Sequence, residues 1–231
     1  MTPEGTTADV PGLADVEASF GRPLDEVMST QRAIRRLLPD DVDDEIVLRC
    51  IELGLKAPTG GNGQTWEFVV VKDHETKERL ARRYRQAWKL YRRSASRGPD
   101  EDGAIQRMLA AVEWQVEHFA EIPVLVVCCL RGGRLPFLPS IPMAEASYYG
   151  SIFPSVQNIL LAARAVGLGA SLITLPLWST TSARHTLGLP IRVHPVCMIP
   201  MGWPRGRYGP TTRKPVQEVV HLDRYGHRPW V

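Results

Sequence analysis

Apolar residues recur along the chain at two spacings, and each spacing predicts a different kind of element. In segment 44–57, apolar side chains at spacings of three and four predict a helix, which Asp43 or Asp44 can cap. In segments 66–71 and 124–130, alternating or continuous apolar residues rich in valine predict buried strands. The predicted helices are 24–31, 44–57, 76–92, 104–119, 144–166 and 181–187, and the predicted strands are 66–71, 124–130, 170–175 and 193–202.

Helices outnumber strands in this pattern, which predicts an α+β fold. We expect a sandwich in which helices pack around a mostly antiparallel or mixed sheet of about five strands. The absence of a repeat or a shift in composition predicts a single domain over 23–231, preceded by an acidic extension at 1–22. The arm after Pro204 is too long and too polar to pack only on itself, and we hypothesise that it reaches a partner subunit.

The composition favours a soluble globular protein of the cytoplasm. Of the 231 residues, 44% are apolar and 23% are charged, and the net charge is only +3. This small and dispersed charge does not predict a nucleic-acid partner. No apolar run reaches the roughly 18 residues of a membrane span, and the acidic start of the chain is unlike a signal peptide. The four cysteines lack metal-ligand spacing, and we interpret them as core residues in a reducing compartment.

A run of basic residues after the helix at 24–31 is the first candidate for chemistry. Arg32, Arg35 and Arg36 lie close together in the sequence, and guanidiniums bind phosphate through two parallel hydrogen bonds. The same run is also typical of a solvated basic patch. The segment alone leaves both interpretations open.

Two further segments combine small or basic residues with turn-forming sequence. Segment 57–66 reads APTGGNGQTW, and its small residues allow the backbone to approach a flat ligand. It matches neither a phosphate loop nor a dinucleotide-binding motif, because no Gly-Lys-Ser/Thr follows and the segment precedes a strand. Segment 211–215, TTRKP, is either a solvated loop or a second phosphate clamp.

Together, and in this order, the three segments resemble the nitroreductase family. The Arg-Arg-Ser-x-Arg element of that family is similar to QRAIR at 31–35, and its Ala-Pro-Ser-x-x-Asn-x-Gln-Pro-Trp turn is similar to 57–66. A helix ending in Gly-Leu-Gly, a Gly-aromatic-Pro element at 202–204 and an Arg-Lys-Pro at 213–215 complete the resemblance. It extends over about residues 25–226.

This resemblance implies a nitroreductase-like sandwich that binds FMN at the interface of a homodimer with two shared sites. The residues implied to contact the ribityl phosphate are Arg32, Ala33, Arg35 and Arg213. The residues implied to lie against the ring are Ile173, Thr174, Leu175 and Pro176, with Gln157 near the pocket. The residues implied to come from the other subunit are Pro58, Thr59, Gly60 and Asn62.

The chain departs from the family pattern at three positions. Gln31 stands where the family has its first arginine, and Ala33 stands where it has a serine, so one cation and one hydroxyl are missing. Thr65 replaces the proline before Trp66. Arg36 is one residue that can compensate for the missing charge, and Lys214 is another.

The resemblance also implies a ping-pong reaction. NADH or NADPH would deliver hydride to the flavin N5, and a nitroaromatic, a quinone or another small conjugated acceptor would then take it. The chemistry belongs to the cofactor, so no catalytic histidine or carboxylate is predicted. Long segments beside such a site act as lids, and we expect 88–119 and 131–143 to determine specificity.

Two alternatives stay open at this point. One is another flavin reaction on the same fold, such as reductive dehalogenation or natural-product dehydrogenation. The other is an FMN-binding or storage protein with little turnover, which the missing contacts at Gln31 and Ala33 keep open. A nucleic-acid-binding module is disfavoured because no basic stripe is interleaved with aromatic residues.

Overall fold

The computed structural model describes residues 10–95, 103–132 and 142–230, and its centre is an antiparallel sheet. Within these residues the sheet has four strands in the order β1-β2-β4-β3. The strands are β1 (Trp66–Val71), β2 (Val124–Arg131), β3 (Gly169–Ala170) and β4 (Val193–Gly202). The predicted α+β class is therefore confirmed, with four described strands where about five were expected. The apolar run at 216–222, the candidate for a fifth strand, contains a 3₁₀ turn at Val216–Glu218 and no strand.

Helices cover both faces of this sheet. In chain order they are α1 (Leu13–Val16), α2 (Leu24–Thr30), α3 (Asp44–Gly54), α4 (His74–Ala95), α5 (Ala104–Glu117), α6 (Pro142–Gly150), α7 (Phe153–Ala165) and α8 (Thr180–Leu187). Within the described ranges, no helix is both long and apolar enough to cross a bilayer.

The single helix predicted over 144–166 is two helices, and this prediction was wrong for a local reason. Pro154 lies in the first turn of α7. Proline has no backbone N–H to donate, and its ring clashes with the carbonyl of the residue four positions earlier. A helix is therefore interrupted at this position. Proline is well tolerated in a first turn, which is why a new helix starts there.

The predicted strand at 170–175 is likewise mostly absent. Gly169 and Ala170 pair with β4, and Ile173 makes one isolated bridge to Met198. The chain then enters a 3₁₀ helix at Leu175–Leu177. Pro176 in that turn has no N–H to donate to a ladder, so the strand cannot continue.

β2 lies between β1 and β4, and helices cover both of its faces. Val126 and Cys128 point into a cluster with α3 and α7, whereas Val127 and Cys129 point into a cluster with α4 and α5. This alternation follows from the two-residue period of a strand. All four cysteines are buried and free, and burial raises the pKa of the Cys129 thiol to about 12.

The short strand β3 holds the arginine-rich segment at one edge of the sheet. The backbone N–H of Ile34 donates to Ala170 O at 3.0 Å, and Leu38 N donates to Trp203 O at 2.7 Å. Gly169 allows this close approach, because a Cβ there would lie 2.7 Å from Leu37 Cδ2 and 2.8 Å from Ile34 Cγ2. The packing of the arginine-rich segment against β3 therefore depends on a residue without a side chain.

We expect the substitution Gly169→Ala to destabilise the protein by roughly 1–3 kcal/mol, because the added methyl group overpacks a close contact. The matched control is Gly21→Ala, where a Cβ would meet no atom within 4 Å. Denaturant unfolding measures both variants. Equal stability of Gly169→Ala and the unsubstituted protein would contradict this account of the sheet edge.

Candidate functional site

A cavity of about 850 Å³ lies where segments 32–36 and 205–207 meet α5. Its described lining residues include many cations and no carboxylate. They are Arg32, Ala33, Ile34, Arg35, Arg36, Arg107, Ala110, Ala111, Trp114, Arg205, Gly206 and Arg207. Three residues predicted from the sequence, Arg32, Ala33 and Arg35, are therefore brought together here.

Backbone hydrogen bonds determine the position of these cations. Helix α2 ends where Gln31 becomes extended, and the following residues run along the sheet edge. Arg205 N donates to Arg36 O at 3.0 Å, so the late segment lies directly beside the early one. Because the backbone determines this pairing, the guanidiniums are collected in one place despite their mutual repulsion.

Arg35 is the most enclosed of these cations. Its Nε is buried and has no hydrogen-bond partner in the described part of the chain. Burial lowers the pKa of this guanidinium, while Tyr84 and Tyr91 act in the opposite direction. A buried donor without a partner is costly, and native proteins normally satisfy it. The cavity is thus built for a ligand that carries acceptors or negative charge.

The segment at 205–208 is held in place from two sides. The Arg205 guanidinium lies over the Trp114 ring at 5.4 Å, and its Nε donates to Leu37 O at 3.4 Å. Nearby, the Arg164 guanidinium stacks on the Tyr208 ring at 4.1 Å, and the Tyr208 hydroxyl donates to Leu168 O. These contacts tie residues 205–208 to α5 and α7, which preorganises the cavity wall.

Arg164 also connects residues 205–208 to the end of α2. Its Nε donates to Thr30 Oγ1 at 2.9 Å, at the end of α2. Burial raises the pKa of the Tyr208 phenol, so it stays a neutral donor at physiological pH. A single buried arginine therefore holds α2, α7 and the late segment together.

Arg213 lies outside the described cavity lining. Its side chain is exposed, and Nη1 donates to the carbonyl of Thr212 at 2.8 Å. The chain nevertheless passes beside α2, since Thr211 N donates to Ser29 O at 2.9 Å. The cavity receives its late cations from Arg205 and Arg207 instead. The sequence signal for them is the Arg-x-Arg that directly follows Gly-Trp-Pro.

The glycine-rich turn lies on another part of the molecule. Gly60 N donates to Ser151 Oγ at 3.1 Å, and a 3₁₀ turn runs over Gly60–Asn62. Pro58, Gly60 and Asn62 are exposed, and Thr59 is half-buried. Within one chain none of them lines the cavity. A contact between these residues and a ligand in this cavity is therefore not provided within one chain.

The segment predicted to face a flavin ring begins beside the cavity region. Ile173 is buried against β4, Thr174 is exposed and Leu175 is half-buried. Two residues earlier, Ser171 Oγ accepts from the Gln115 amide at 3.2 Å. Gln115 in turn accepts from the Tyr84 hydroxyl at 3.3 Å, and burial raises the pKa of Tyr84. Gln157 is exposed on α7 and does not line the cavity.

Comparison with known proteins gives the family. Residues 28–203 match the model of the nitroreductase family. The chain is 26% identical over 215 residues to a 5,6-dimethylbenzimidazole synthase of Rhodospirillum rubrum, covering 92% of this chain and 94% of that one. It is also 26% identical over 208 residues to an iodotyrosine deiodinase of Daphnia pulex, covering 84% of this chain and 63% of the deiodinase.

Solved structures agree on the fold. A nitroreductase with bound FMN from Desulfitobacterium hafniense superposes with a TM-score of 0.64 at 16% identity, covering 87% of this chain and 98% of that one. The family match includes the arginine-rich segment, the glycine-rich turn and the whole sheet. The chain belongs to the nitroreductase family.

Proposed function

We propose that this protein is an FMN-dependent oxidoreductase that takes reducing equivalents from NADH or NADPH. The observation that carries the proposal is the arginine-lined cavity, in which the buried Arg35 Nε has no partner among the described residues. Family membership supports it, and so does the FMN bound to the nitroreductase of similar fold.

The cavity residues fit a phosphorylated cofactor. Arg32, Arg205 and Arg207 supply forked donors that suit the oxygens of a phosphate group. Ala33, in place of a serine, adds no donor, and the arginines compensate for it. The hydrogen bond from Thr211 to Ser29 brings the chain just before Arg213 beside α2. We propose Arg213 as an outer cation at the same phosphate.

FMN, when bound, supplies hydride transfer between a reduced nicotinamide and an electron-poor acceptor. The chain contributes binding and electrostatics to that chemistry. Arg35 is a cation in a partly desolvated position, where its charge is screened less than in water. Arg35 therefore stabilises negative charge on a ligand group placed beside it. Ile173, Thr174 and Leu175 are proposed to contact the ring from the β3 side.

A homodimer with shared sites completes the proposal. The turn residues Pro58, Thr59, Gly60 and Asn62 are proposed to cover the cofactor of the partner subunit. Several large apolar side chains on α2, α3 and α7 and in the arm are exposed, which is typical of a surface that binds another chain. They are Leu24, Met28, Leu48, Phe153, Val216, Val219, Tyr225 and Trp230.

The cavity wall on α5 bears on which acceptor is reduced. Segment 88–119 contributes Arg107, Ala110, Ala111 and Trp114 to the cavity wall, which supports its role in specificity. The other proposed lid, 131–143, lies mostly outside the described residues. Nitroaromatics and quinones are the acceptors we propose. The iodotyrosine deiodinase relative favours reductive dehalogenation as the second candidate.

The double substitution Arg205→Gln and Arg207→Gln is expected to weaken FMN binding by about 100-fold. Each charge-assisted hydrogen bond contributes roughly 1.5–3 kcal/mol, so two lost cations have at least this effect. Arg213→Gln is expected to weaken binding less, because that side chain is exposed. Fluorescence titration of flavin-free protein with FMN measures all three affinities.

The control for this experiment is Arg49→Gln. Arg49 pairs with Glu52 on α3 at 2.6 Å and does not line the cavity. Its FMN affinity should equal that of the unsubstituted protein. If the double variant also bound FMN normally, the cavity would not be the phosphate site.

Steady-state kinetics test the reaction class. With NADH or NADPH and a nitroaromatic or quinone, initial rates should give parallel double-reciprocal lines, since one site is used twice in turn. Anaerobic addition of the nicotinamide alone should bleach the flavin. Bleaching without turnover of either acceptor, combined with iodide release from 3-iodotyrosine, would instead establish the dehalogenation candidate.

Gel filtration tests the shared site. The flavin-loaded protein is expected to elute at the mass of two chains, because the turn at 57–63 is proposed to cover the cofactor of a partner subunit. Pro58→Glu is expected to lower FMN affinity by placing a negative charge near the cofactor. A monomeric protein with full FMN occupancy would contradict the dimer proposal.

A further inference from the structure

A second cationic cleft lies between α4 and α8, and it shares no lining residue with the main cavity. It has a volume of about 350 Å³. On α4 its wall is formed by Arg79, Arg82, Arg83 and Gln86, which share one helix face. On α8 the wall is formed by Ser182, His185 and Thr186, also on one face. Two helices thus present polar groups to each other across an open space.

The cleft is lined almost entirely by hydrogen-bond donors. Guanidiniums come from α4, and hydroxyls and an imidazole come from α8, while the described lining contains no carboxylate. The amide of Gln86 is the one acceptor-bearing group on the α4 side besides the backbone. Such a set matches a ligand that carries several acceptor oxygens and negative charge.

Arg83 is held in place before any ligand arrives. Its Nε donates to Ser182 Oγ at 2.7 Å, and its Nη1 donates to Gln86 Oε1 at 3.0 Å. The Trp178 indole donates to Arg83 O at 3.1 Å, which joins α4 to the segment that leads into α8. A preoriented guanidinium loses less conformational entropy when it binds an anion.

The charges around the cleft leave it net positive. Arg79 pairs with Glu75 at 2.5 Å, on the preceding turn of α4. Glu78 is used by Arg85 at 3.5 Å, away from the cleft lining. Arg82 is exposed and has no ion pair in the described part of the chain. Three guanidiniums facing one neighbouring carboxylate leave about two uncompensated positive charges.

We propose that this cleft binds a phosphate monoester or free phosphate, separately from the FMN cavity. Arg82 and Arg83 bind the phosphate oxygens, and Ser182, His185 and Thr186 supply donors from the opposite wall. The volume accommodates a phosphate with a small attached group, whereas FMN is assigned to the larger cavity. The assignment does not depend on the redox reaction proposed above.

Isothermal titration calorimetry of the FMN-loaded protein tests this site, with inorganic phosphate and ribose 5-phosphate as probes and chloride used to match ionic strength. One phosphate per chain is expected. Arg82→Gln should weaken binding by about tenfold, because one charge-assisted contact is lost while the Arg83 anchor remains. Tighter binding of ribose 5-phosphate identifies an ester as the ligand, and equal or tighter binding of inorganic phosphate identifies the free ion.

The matched control is Arg85→Gln, a surface arginine of the same helix that does not line the cleft. It should bind phosphate as the unsubstituted protein does. A second background, Arg205→Gln with Arg207→Gln, removes cations of the main cavity. Titrated at an FMN concentration that saturates its weakened flavin site, it should retain the cleft site. Absence of saturable binding, or equal affinity in Arg82→Gln and the unsubstituted protein, would overturn the proposal. The proposal would also be overturned if phosphate binding were lost only in the Arg205/Arg207 background.

Discussion

The pairing of segments 32–38 and 203–207 at one edge of the sheet is the constraint on which the site depends. Hydrogen bonds from Ile34 to Ala170, from Leu38 to Trp203 and from Arg205 to Arg36 hold two arginine-bearing segments side by side. Gly169 permits the close approach, and Arg164 braces it from α7. The backbone therefore collects cations that would repel one another in an unfolded chain, and an anionic ligand relieves that repulsion.

This arrangement accounts for how the chain would hold the proposed cofactor and leave the chemistry to it. The sheet and its two apolar clusters form a rigid base, and the cations lie at the edge of that base. Arg35 lies deepest and is partly desolvated, whereas Arg32 and Arg207 are exposed. A gradient from exposed to enclosed charge suits a ligand with a phosphate at one end and a ring at the other.

Much of this could be predicted from the sequence because the signals are local. The valine-rich runs at 66–71 and 124–130 predicted β1 and β2, and the arginines at 32–36 were a candidate anion site that the family resemblance favoured over a solvated patch. Arg205 and Arg207 were missed, since their role depends on a pairing across more than half the chain. The α4–α8 cleft was also missed, because the arginines at 79–83 look like an ordinary solvated helix face until α8 is placed opposite them. The turn at 57–63 does not line the cavity within one chain, so its proposed role depends on a second subunit.

Comparing the affinities of the flavin-free protein for FMN and for riboflavin tests the central claim most directly. The two ligands share the ring and the ribityl chain and differ only in the phosphate. If segments 32–36 and 205–207 form a phosphate site, riboflavin should bind at least about 100-fold more weakly than FMN, since several charge-assisted contacts are lost. Equal affinities for the two flavins would show that the arginine cavity does not hold the phosphate.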